Sequence, residues 1–295
     1  MFNELKKLRV GNVYLDVLYK DISTYKLDGK VKYLVDVDST ECLIKLIKFL
    51  REKNVKYKVI GGASNLIFKD LVYDGVFIRL KGLDKIEITD NQIKVGSGAS
   101  LMKVALKTCN LGFTGLEFAT GIPGSVGGPI YNNAGAYKSD MGYVVYSVVV
   151  LTPDLEVKVM KNKELNYHYR DSFFKHNDSY VILGAKMLLK RGNKEKILEV
   201  IRDRKDRRIL SQPLEYPSAG SVFRNPDNIP AGKIIEDIGF KGKNVGDAYV
   251  SEKHANFIIN KGKAKGIDVI ALTDMIKKEV KEKYDIDLIM EQEIV

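Results

Sequence analysis

The spacing of hydrophobic and polar residues predicts a chain that mixes strands and helices. Two helices are predicted in its first half: residues 38–54, with Asp38 as the cap, and residues 100–112, with Ser100 as the cap and Gly112 at the end. Short apolar runs between turn residues predict strands at residues 32–37, 57–70 (two strands around a glycine turn), 75–80, 84–89, 92–98, 144–151, 155–160 and 179–190.

The pattern changes from about residue 193. A charged helix is predicted over residues 193–213, where Pro213 ends it, and a short helix follows at residues 230–239. A strand is predicted at residues 255–260 and an amphipathic helix at residues 266–284. The inward face of that last helix is formed by Val269, Leu272, Ile276 and Val280. The change in pattern predicts a domain boundary near residue 205.

Length and composition are those of an ordinary globular protein. The chain has 295 residues, enough for two domains or one large one, with 45% hydrophobic and 29% charged residues. Its most apolar run, residues 144–151, is too short to span a membrane. Charged residues break up every apolar stretch near the N-terminus, whereas a signal peptide has an uninterrupted apolar segment there. We therefore expect a cytoplasmic protein without membrane contact. Cys42 and Cys109 lie among apolar residues, which favours buried free thiols over a disulfide or a metal site.

The formal net charge of +10 admits three explanations: a nucleic-acid partner, an anionic small substrate, or a lysine-rich proteome. The densest basic stretch, residues 201–210, is interleaved with aspartates. That pattern is typical of a solvated helix face, and the lysines are otherwise dispersed. We expect no nucleic-acid partner.

Glycine is concentrated in residues 115–137, which hold six of the chain's 25 glycines. Two loops, "GGASN" at residues 61–65 and "GIPGSVGG" at residues 121–128, have the flexible backbone that lets N–H groups converge on an anion. Neither loop matches the P-loop or the dinucleotide-binding glycine motif. Two such loops suggest a pyrophosphate held by main chain, but purely structural turns explain the same glycines equally well.

Three side chains are candidates for chemistry, each with a simpler alternative. Ser221 follows two small residues and could donate a proton, although a turn or capping serine is the better explanation from the residues alone. Arg170 lies among aromatic residues and could hold a carboxylate or phosphate, or it could simply stack on a tyrosine. Glu291 lies in an apolar run, where it needs a partner or a proton if buried; the alternative is an edge-strand residue facing water.

The order of the motifs is more specific than any one of them. "GGASN", "GLEFATGIPGSVGG", "NNAGAY", "YRDSFFK", "QPLEYPSAGSVFRNP", "AGKIIEDIGFKG", "VSEKHANFIIN" and a late Leu-x-x-Glu follow one another along the chain. From about residue 24 to the C-terminus, this series resembles the UDP-N-acetylenolpyruvoylglucosamine reductase family, in the shorter form that lacks a tyrosine-bearing insertion.

The resemblance implies an α+β fold and a reaction. It implies a two-lobed FAD-binding domain of the vanillyl-alcohol-oxidase-like type (residues 1–80 and 81–205), an α+β substrate domain (206–285) and a C-terminal strand returning to the first lobe (286–295). FAD would pass hydride from NADPH, through flavin N5, to the enolpyruvyl group of UDP-N-acetylglucosamine enolpyruvate, giving UDP-N-acetylmuramate for peptidoglycan synthesis. We also expect a monomer.

Site residues are implied by the same resemblance. Ser221 would donate the proton, Arg170 would hold the developing enolate, and Glu291 would assist. Substrate contacts would be Tyr137, Tyr169, Asn225 and, on weaker grounds, Lys233. FAD contacts would be Gly61, Gly62, Ala63, Ser64, Asn65, Gly121, Ile122, Pro123, Gly124, Ser125, Gly127, Gly128, Asn133, Gly135 and Ala136.

The chain departs from the family pattern at two places. Ala63 stands where the family usually has a glycine, and only Gly29 remains of a usual glycine pair. An added methyl near the cofactor could weaken FAD binding. Two alternatives therefore stay open: a flavin oxidase on the same fold, which would have no reason to keep Ser221, Arg170 and Glu291 together, and a non-catalytic protein that has kept the scaffold.

Overall fold

The chain folds into two compact units. The computed structural model describes residues 1–295, with the side chain of Asn228 left aside. Unit 1 is formed by Met1–Leu15, Tyr33–Gly62 and Gly75–Lys205, and unit 2 by Asp16–Lys32, Ala63–Asp74 and Asp206–Val295. Segments distant in sequence thus share a unit, and the four-part division expected above stays a prediction.

The described helices are α1 (Phe2–Lys7), α2 (Tyr19–Ile22), α3 (Thr40–Glu52), α4 (Leu101–Asn110), α5 (Gly127–Tyr131), α6 (Lys194–Ser211), α7 (Ala231–Asp237) and α8 (Gly266–Tyr284). None of these helices in the described part of the chain is both long and apolar enough to cross a membrane.

The strands are β1 (Gly11–Leu18), β2 (Lys30–Val37), β3 (Tyr57–Ile60), β4 (Leu66–Ile67), β5 (Val72–Arg79), β6 (Ile86–Thr89), β7 (Gln92–Gly96), β8 (Phe113–Thr114), β9 (Gly135–Ala136), β10 (Ser139–Asp140), β11 (Val145–Leu151), β12 (Val157–Lys161), β13 (Val181–Leu188), β14 (Lys190–Arg191), β15 (Ser218–Ser221), β16 (Asn244–Val245), β17 (Ala248–Val250), β18 (Phe257–Asn260) and β19 (Glu293–Ile294).

Unit 1 is built on two sheets. One has the strand order β1-β2-β5-β3, with β3 and β5 parallel, and the boundaries of the unit cut the chain within β1, β2 and β5. The other is antiparallel, with the order β12-β11-β13-β7-β6. A separate hydrophobic cluster packs against each sheet. The first glycine loop follows β3 directly, so the sheet fixes where that loop begins.

Two helices of unit 1 show how local sequence sets an element's ends. α3 buries Leu43, Ile47 and Leu50, as their spacing predicts, but its cap was wrongly predicted. Ser39, and not Asp38, caps the helix, because the Ser39 hydroxyl accepts a hydrogen bond from the Cys42 amide at 3.2 Å. α4 has its predicted cap, since the Ser100 hydroxyl accepts from the Lys103 amide.

Unit 2 is built on the antiparallel sheet β15-β18-β17-β16 and the helices α7 and α8. The predicted face of α8 is buried, with Val269, Leu272, Ile276 and Val280 at 0–1% exposure. β19 pairs in parallel with β4. Ser221 is the last residue of β15, so the four-stranded sheet and its core support the segment that carries it.

Candidate functional site

Within unit 1, the glycine pair that opens the first loop, Gly61 and Gly62, lies directly against the second loop. A Cβ built on Gly62 would be 2.7 Å from the Gly124 Cα, and one built on Gly61 would be 2.7 Å from the Ser125 Oγ. Side chains at these positions would force the loops apart. Gly62 is therefore required for the close approach of the two main chains, and Gly61 leaves room for the Ser125 hydroxyl.

Backbone hydrogen bonds hold the second loop in place, and the space next to Gly128 is open. The Gly127 amide donates to the Ser97 carbonyl at 2.9 Å, and the Leu101 amide donates to the Gly124 carbonyl at 3.1 Å. A Cβ on Gly128 would meet nothing within 4 Å. The close loop contact and the open face at Gly128 fit a main-chain cradle for a pyrophosphate.

The loop that follows combines structural and accessible groups. Asn133 is buried. Its side-chain Nδ2 donates to the His168 carbonyl at 2.8 Å, and its Oδ1 accepts from the Gly142 backbone amide at 2.9 Å. A Cβ on Gly135 would clash with the Ser139 carbonyl. Asn133 and Gly135 therefore have structural duties besides any contact with a ligand.

Arg170 is held beside this loop within unit 1. Its Nη2 donates to the Gly135 carbonyl at 2.6 Å, and its guanidinium carbon lies 5.1 Å from the Tyr169 ring centre. Burial raises the pKa of the nearby Asp140, while hydrogen bonds from the Gly142 and Tyr143 amides oppose that rise and Arg170 makes a smaller opposing contribution. A cation in this setting suits an anionic ligand.

Tyr137 is 40% exposed and is oriented by helix α6. Its hydroxyl donates to the Arg204 carbonyl at 3.1 Å, and the Arg204 guanidinium carbon lies 4.6 Å from the centre of the tyrosine ring. The backbone of Tyr137 has a positive φ of 55°, which is uncommon for a tyrosine. Tyr169 is also half-exposed, so both predicted substrate tyrosines have surface available to a ligand.

Ser221 and Glu291 lie on adjacent antiparallel segments of unit 2. Phe223 and Met290 form an antiparallel bridge between these segments. On either side of it, the Glu291 amide donates to the Val222 carbonyl at 2.8 Å and the Arg224 amide donates to the Ile289 carbonyl at 2.9 Å. The structure therefore brings together two predicted catalytic residues that are far apart in sequence; Arg170 belongs to unit 1.

Two asparagines hold this pair of segments. The Asn256 side chain accepts from the Phe223 amide at 2.9 Å and donates to the Phe223 carbonyl at 2.8 Å. The side-chain Nδ2 of Asn65 donates to the Glu291 carbonyl at 3.0 Å, and the backbone amide of Glu293 donates to the backbone carbonyl of Asn65 at 2.9 Å. Asn65, predicted as an FAD contact, thus also fixes the backbone at Glu291, and Ala63 beside it is only 4% exposed.

The predicted substrate contacts Asn225 and Lys233 have intramolecular partners at the start of α7. The Asn225 oxygen accepts from the Ala231 amide at 3.0 Å, as a helix cap would. The Lys233 ammonium lies 2.6 Å from the Asp237 carboxylate, and this hydrogen bond raises the pKa of the lysine. A ligand at Lys233 would compete with an exposed, weak ion pair.

Sequence reasoning missed four residues that support these sites: Ser97, Arg204, Asn256 and Gln292. Ser97 and Gln292 are buried, and Gln292 donates to the Gly220 carbonyl beside Ser221. Asn256 and Gln292 stand inside stretches singled out in the sequence, but only their contacts reveal their role. No group of three or more His, Cys, Asp or Glu side chains in the described part of the chain could hold a metal ion.

Comparisons with known proteins match both parts of the chain. Residues 31–160 match the model of an FAD binding domain. Residues 212–295 match the model described as UDP-N-acetylenolpyruvoylglucosamine reductase, C-terminal domain. These matches confirm the predicted α+β fold with an FAD-binding domain followed by the C-terminal domain of that reductase family.

Full-length relatives agree with the family models. The UDP-N-acetylenolpyruvoylglucosamine reductase of Bacillus subtilis is 38% identical over all of this chain and 98% of its own length, and that of Clostridium kluyveri is 40% identical over 98% and 94%. The crystal structure of the Thermus caldophilus enzyme superposes with a TM-score of 0.81 at 31% identity, covering 96% of this chain and 98% of that one. The chain belongs to the UDP-N-acetylenolpyruvoylglucosamine reductase family.

Proposed function

We propose that Ser221, Arg170 and Glu291 carry out the reaction of this family. The chain is an FAD- and NADPH-dependent oxidoreductase that forms UDP-N-acetylmuramate for peptidoglycan synthesis. The observation that carries the assignment of residues is the antiparallel pairing of the Ser221 and Glu291 segments, joined by the Glu291 amide and the Val222 carbonyl.

The glycine loops provide the FAD site in this proposal. Gly62 lies against the backbone of Gly124 and Gly61 lies against the hydroxyl of Ser125, so neither position has room for a Cβ. Converging backbone N–H groups suit the pyrophosphate of FAD. When bound there, FAD would supply the redox chemistry by which hydride passes from NADPH to the enolpyruvyl double bond. The full set of proposed contacts is Gly61, Gly62, Ala63, Ser64, Asn65, Gly121, Ile122, Pro123, Gly124, Ser125, Gly127, Gly128, Asn133, Gly135 and Ala136.

Ser221 supplies the proton in this mechanism. Reduction of a carbon–carbon double bond adds one hydride and one proton, and the carbon next to the carboxylate becomes strongly basic. A neutral hydroxyl is acidic enough to protonate such a carbon, and solvent then returns the proton to the serine. The backbone on both sides of Ser221 is hydrogen-bonded within unit 2, which favours a fixed position for its hydroxyl.

Arg170 and Glu291 stabilise the charge that develops on the substrate. The Arg170 guanidinium presents its N–H donors in a fixed planar arrangement, and one of them contacts the Gly135 carbonyl. Its planar fork suits the carboxylate of the enolpyruvyl group. Glu291 is half-buried and acts through a hydrogen bond to the substrate or through Arg170.

The remaining proposals concern the surroundings of the reaction. Tyr137, Tyr169, Asn225 and Lys233 contact the UDP-sugar, and the net charge of +10 helps to capture anionic ligands. The protein acts as a cytoplasmic monomer without membrane or nucleic-acid partners. Along the chain, residues 1–80 and 81–205 form the FAD lobes, 206–285 the substrate domain and 286–295 a returning strand.

Replacing Ser221 by alanine tests the proposal. Bleaching of the flavin by NADPH should proceed at the wild-type rate, while recovery of its colour with the enolpyruvyl substrate should slow by about 10²- to 10⁴-fold, the usual worth of a general acid. Ser218→Ala, a serine on the same strand β15, is the matched control. Equal slowing of both half-reactions, or none, would remove Ser221 from the mechanism.

A further inference from the structure

Gln292 is a buried polar residue immediately after Glu291. It is 3% exposed, and its Nε2 donates to the Gly220 carbonyl at 3.1 Å. A carbonyl oxygen only accepts hydrogen bonds, so the NH₂ group of the amide must face Gly220. The residue that follows this carbonyl is Ser221.

Gly220 is a point of backbone freedom next to Ser221. Its φ is +76°, and a Cβ built on it would meet nothing within 4 Å. Glycine populates this region at little cost and leaves it just as easily. Ser221 pairs with Phe257 of β18, but the register between β15 and β18 shifts between Ser218 and Ser221, so the regular strand pairing does not by itself fix Gly220.

Fixed contacts hold the other side of Ser221. The Val222 amide donates to the Asn256 carbonyl at 2.9 Å, and the Val222 carbonyl accepts from the Glu291 amide at 2.8 Å. The Asn256 side chain bonds both main-chain groups of Phe223. Before Ser221, the Gln292 amide makes the corresponding contact at Gly220.

The surroundings of Gln292 are costly for a polar group. Tyr25 is fully buried in the same unit, and burial raises the pKa of its hydroxyl strongly, an effect that the neighbouring Gln292 partly opposes. Among the described residues, neither the Tyr25 hydroxyl nor the Gln292 oxygen makes a hydrogen bond of normal geometry. The Gln292 side chain therefore faces two buried polar groups, the Tyr25 hydroxyl and the Gly220 carbonyl, and the second of them lies directly before Ser221.

We propose that Gln292 is a positioning residue that fixes the Gly220 carbonyl and thereby the hydroxyl of Ser221. The inference rests on the proposed role of Ser221 as proton donor. Glu291 and Gln292 then act on the same reaction from adjacent positions, one on the developing charge and the other on the donor of the proton. A small displacement of a reacting group is enough to lower a rate about 100-fold.

The test replaces Gln292 by methionine, which keeps the length of the side chain and removes the donor. In stopped-flow experiments on the FAD-loaded protein, reduction by NADPH should keep its rate, and reoxidation by the enolpyruvyl substrate should slow about 10- to 100-fold. Combining Gln292→Met with Ser221→Ala should add nothing to the loss from Ser221→Ala, because the positioned group is then absent. Gln212→Met makes the same change at another glutamine of unit 2 and should leave both rates unchanged.

A second variant adds a readout that a purely structural role would not move. In Gln292→Glu, the new carboxyl can donate to the Gly220 carbonyl only when protonated. Reoxidation of Gln292→Glu should therefore speed up as the pH falls, relative to the wild type. The pH profile of the wild type measures the effect of the neighbouring titratable groups, Tyr25, Glu291 and Glu293, and is subtracted.

The outcomes separate this inference from the proposed function. Wild-type reoxidation in Gln292→Met, equal slowing of both half-reactions, or an additive double variant would overturn the positioning role. If Gln292→Met does not fold, absence of the pH-dependent recovery in Gln292→Glu overturns it instead. Normal reoxidation in Ser221→Ala would overturn the proton-donor role itself, whatever Gln292→Met does.

Discussion

Alanine at Gly62 gives the sharpest test of the glycine cradle. The added methyl would lie 2.7 Å from the Gly124 Cα, and this contact would have to open to about 3.4 Å to become an ordinary van der Waals contact. The atom in the way belongs to the backbone, so no side-chain rotation relieves the clash. Overpacking of this kind costs about 1–3 kcal/mol. This cost is divided between the stability of the FAD-free protein and FAD binding, so Gly62→Ala should lower that stability and weaken FAD binding by up to about 150-fold.

Gly128→Ala is the matched variant with the opposite expectation for stability. A methyl there meets no protein atom within 4 Å, and Gly128 lies in α5, where alanine is the better helix former by up to about 1 kcal/mol. The FAD-free protein should keep or gain stability, while FAD binding should weaken because the methyl occupies the open face of the loop.

The assay strips the flavin, measures the free energy of unfolding in urea, and then titrates FAD by the quenching of its fluorescence. If Gly128→Ala binds FAD as tightly as the wild type, the open face of this loop is not the cofactor site. If Gly62→Ala leaves both quantities unchanged, the loops do not depend on their close contact.

Three further predictions address other residues. Arg170→Lys should slow substrate-driven reoxidation about 100-fold while sparing reduction by NADPH, because a point charge cannot reproduce the planar fork; Arg191→Lys, at an arginine stacked on Phe113, is the control, and near-normal turnover of Arg170→Lys would contradict the role. Ala63→Gly should change the free energy of unfolding by no more than about 1 kcal/mol. Glycine relieves the strain of the positive φ of 46°, but it removes a buried methyl group and makes the unfolded chain more flexible. A larger change, measured from the midpoint of urea unfolding, would contradict this balance. Burial, aided by the charge of Lys241, lowers the pKa of His254, so the unfolded chain takes up this proton at a higher pH than the folded chain. The free energy of unfolding should therefore fall as the pH drops below about 6.5, until the lowered pKa is reached. Urea titrations of wild type and His254→Gln between about pH 8 and pH 5 should differ in how steeply this free energy changes with pH, and identical slopes would refute the coupling.

Local sequence predicted the elements whose pattern is strong. The buried face of α8, the cap at Ser100, the proline near the start of α7 and the strands around the first glycine loop follow from spacing and from turn chemistry. The cap of α3 could not be chosen this way, because Asp38 and Ser39 are chemically equivalent candidates and only the folded backbone decides between them. α1 and β1 were not predicted, since β1 alternates irregularly and exposes several of its apolar residues.

The candidate site could be predicted as a set of residues but not as a geometry. The order of motifs pointed to Ser221, Arg170 and Glu291, because each lies in a long, specific stretch. The bond between Gln292 and Gly220 joins residues 72 positions apart, and the capping of α7 by Asn225 depends on how the chain turns after Pro226. Contacts of this kind leave no local signal, so only the folded chain reveals them.

An anaerobic titration of the purified protein, followed by its visible spectrum, tests the central claim most directly. NADPH is added first and UDP-N-acetylglucosamine enolpyruvate second. The account predicts a yellow protein that NADPH bleaches and that regains its colour only with the enolpyruvyl substrate. A flavin that stays bleached when this substrate is added would contradict the proposed reaction.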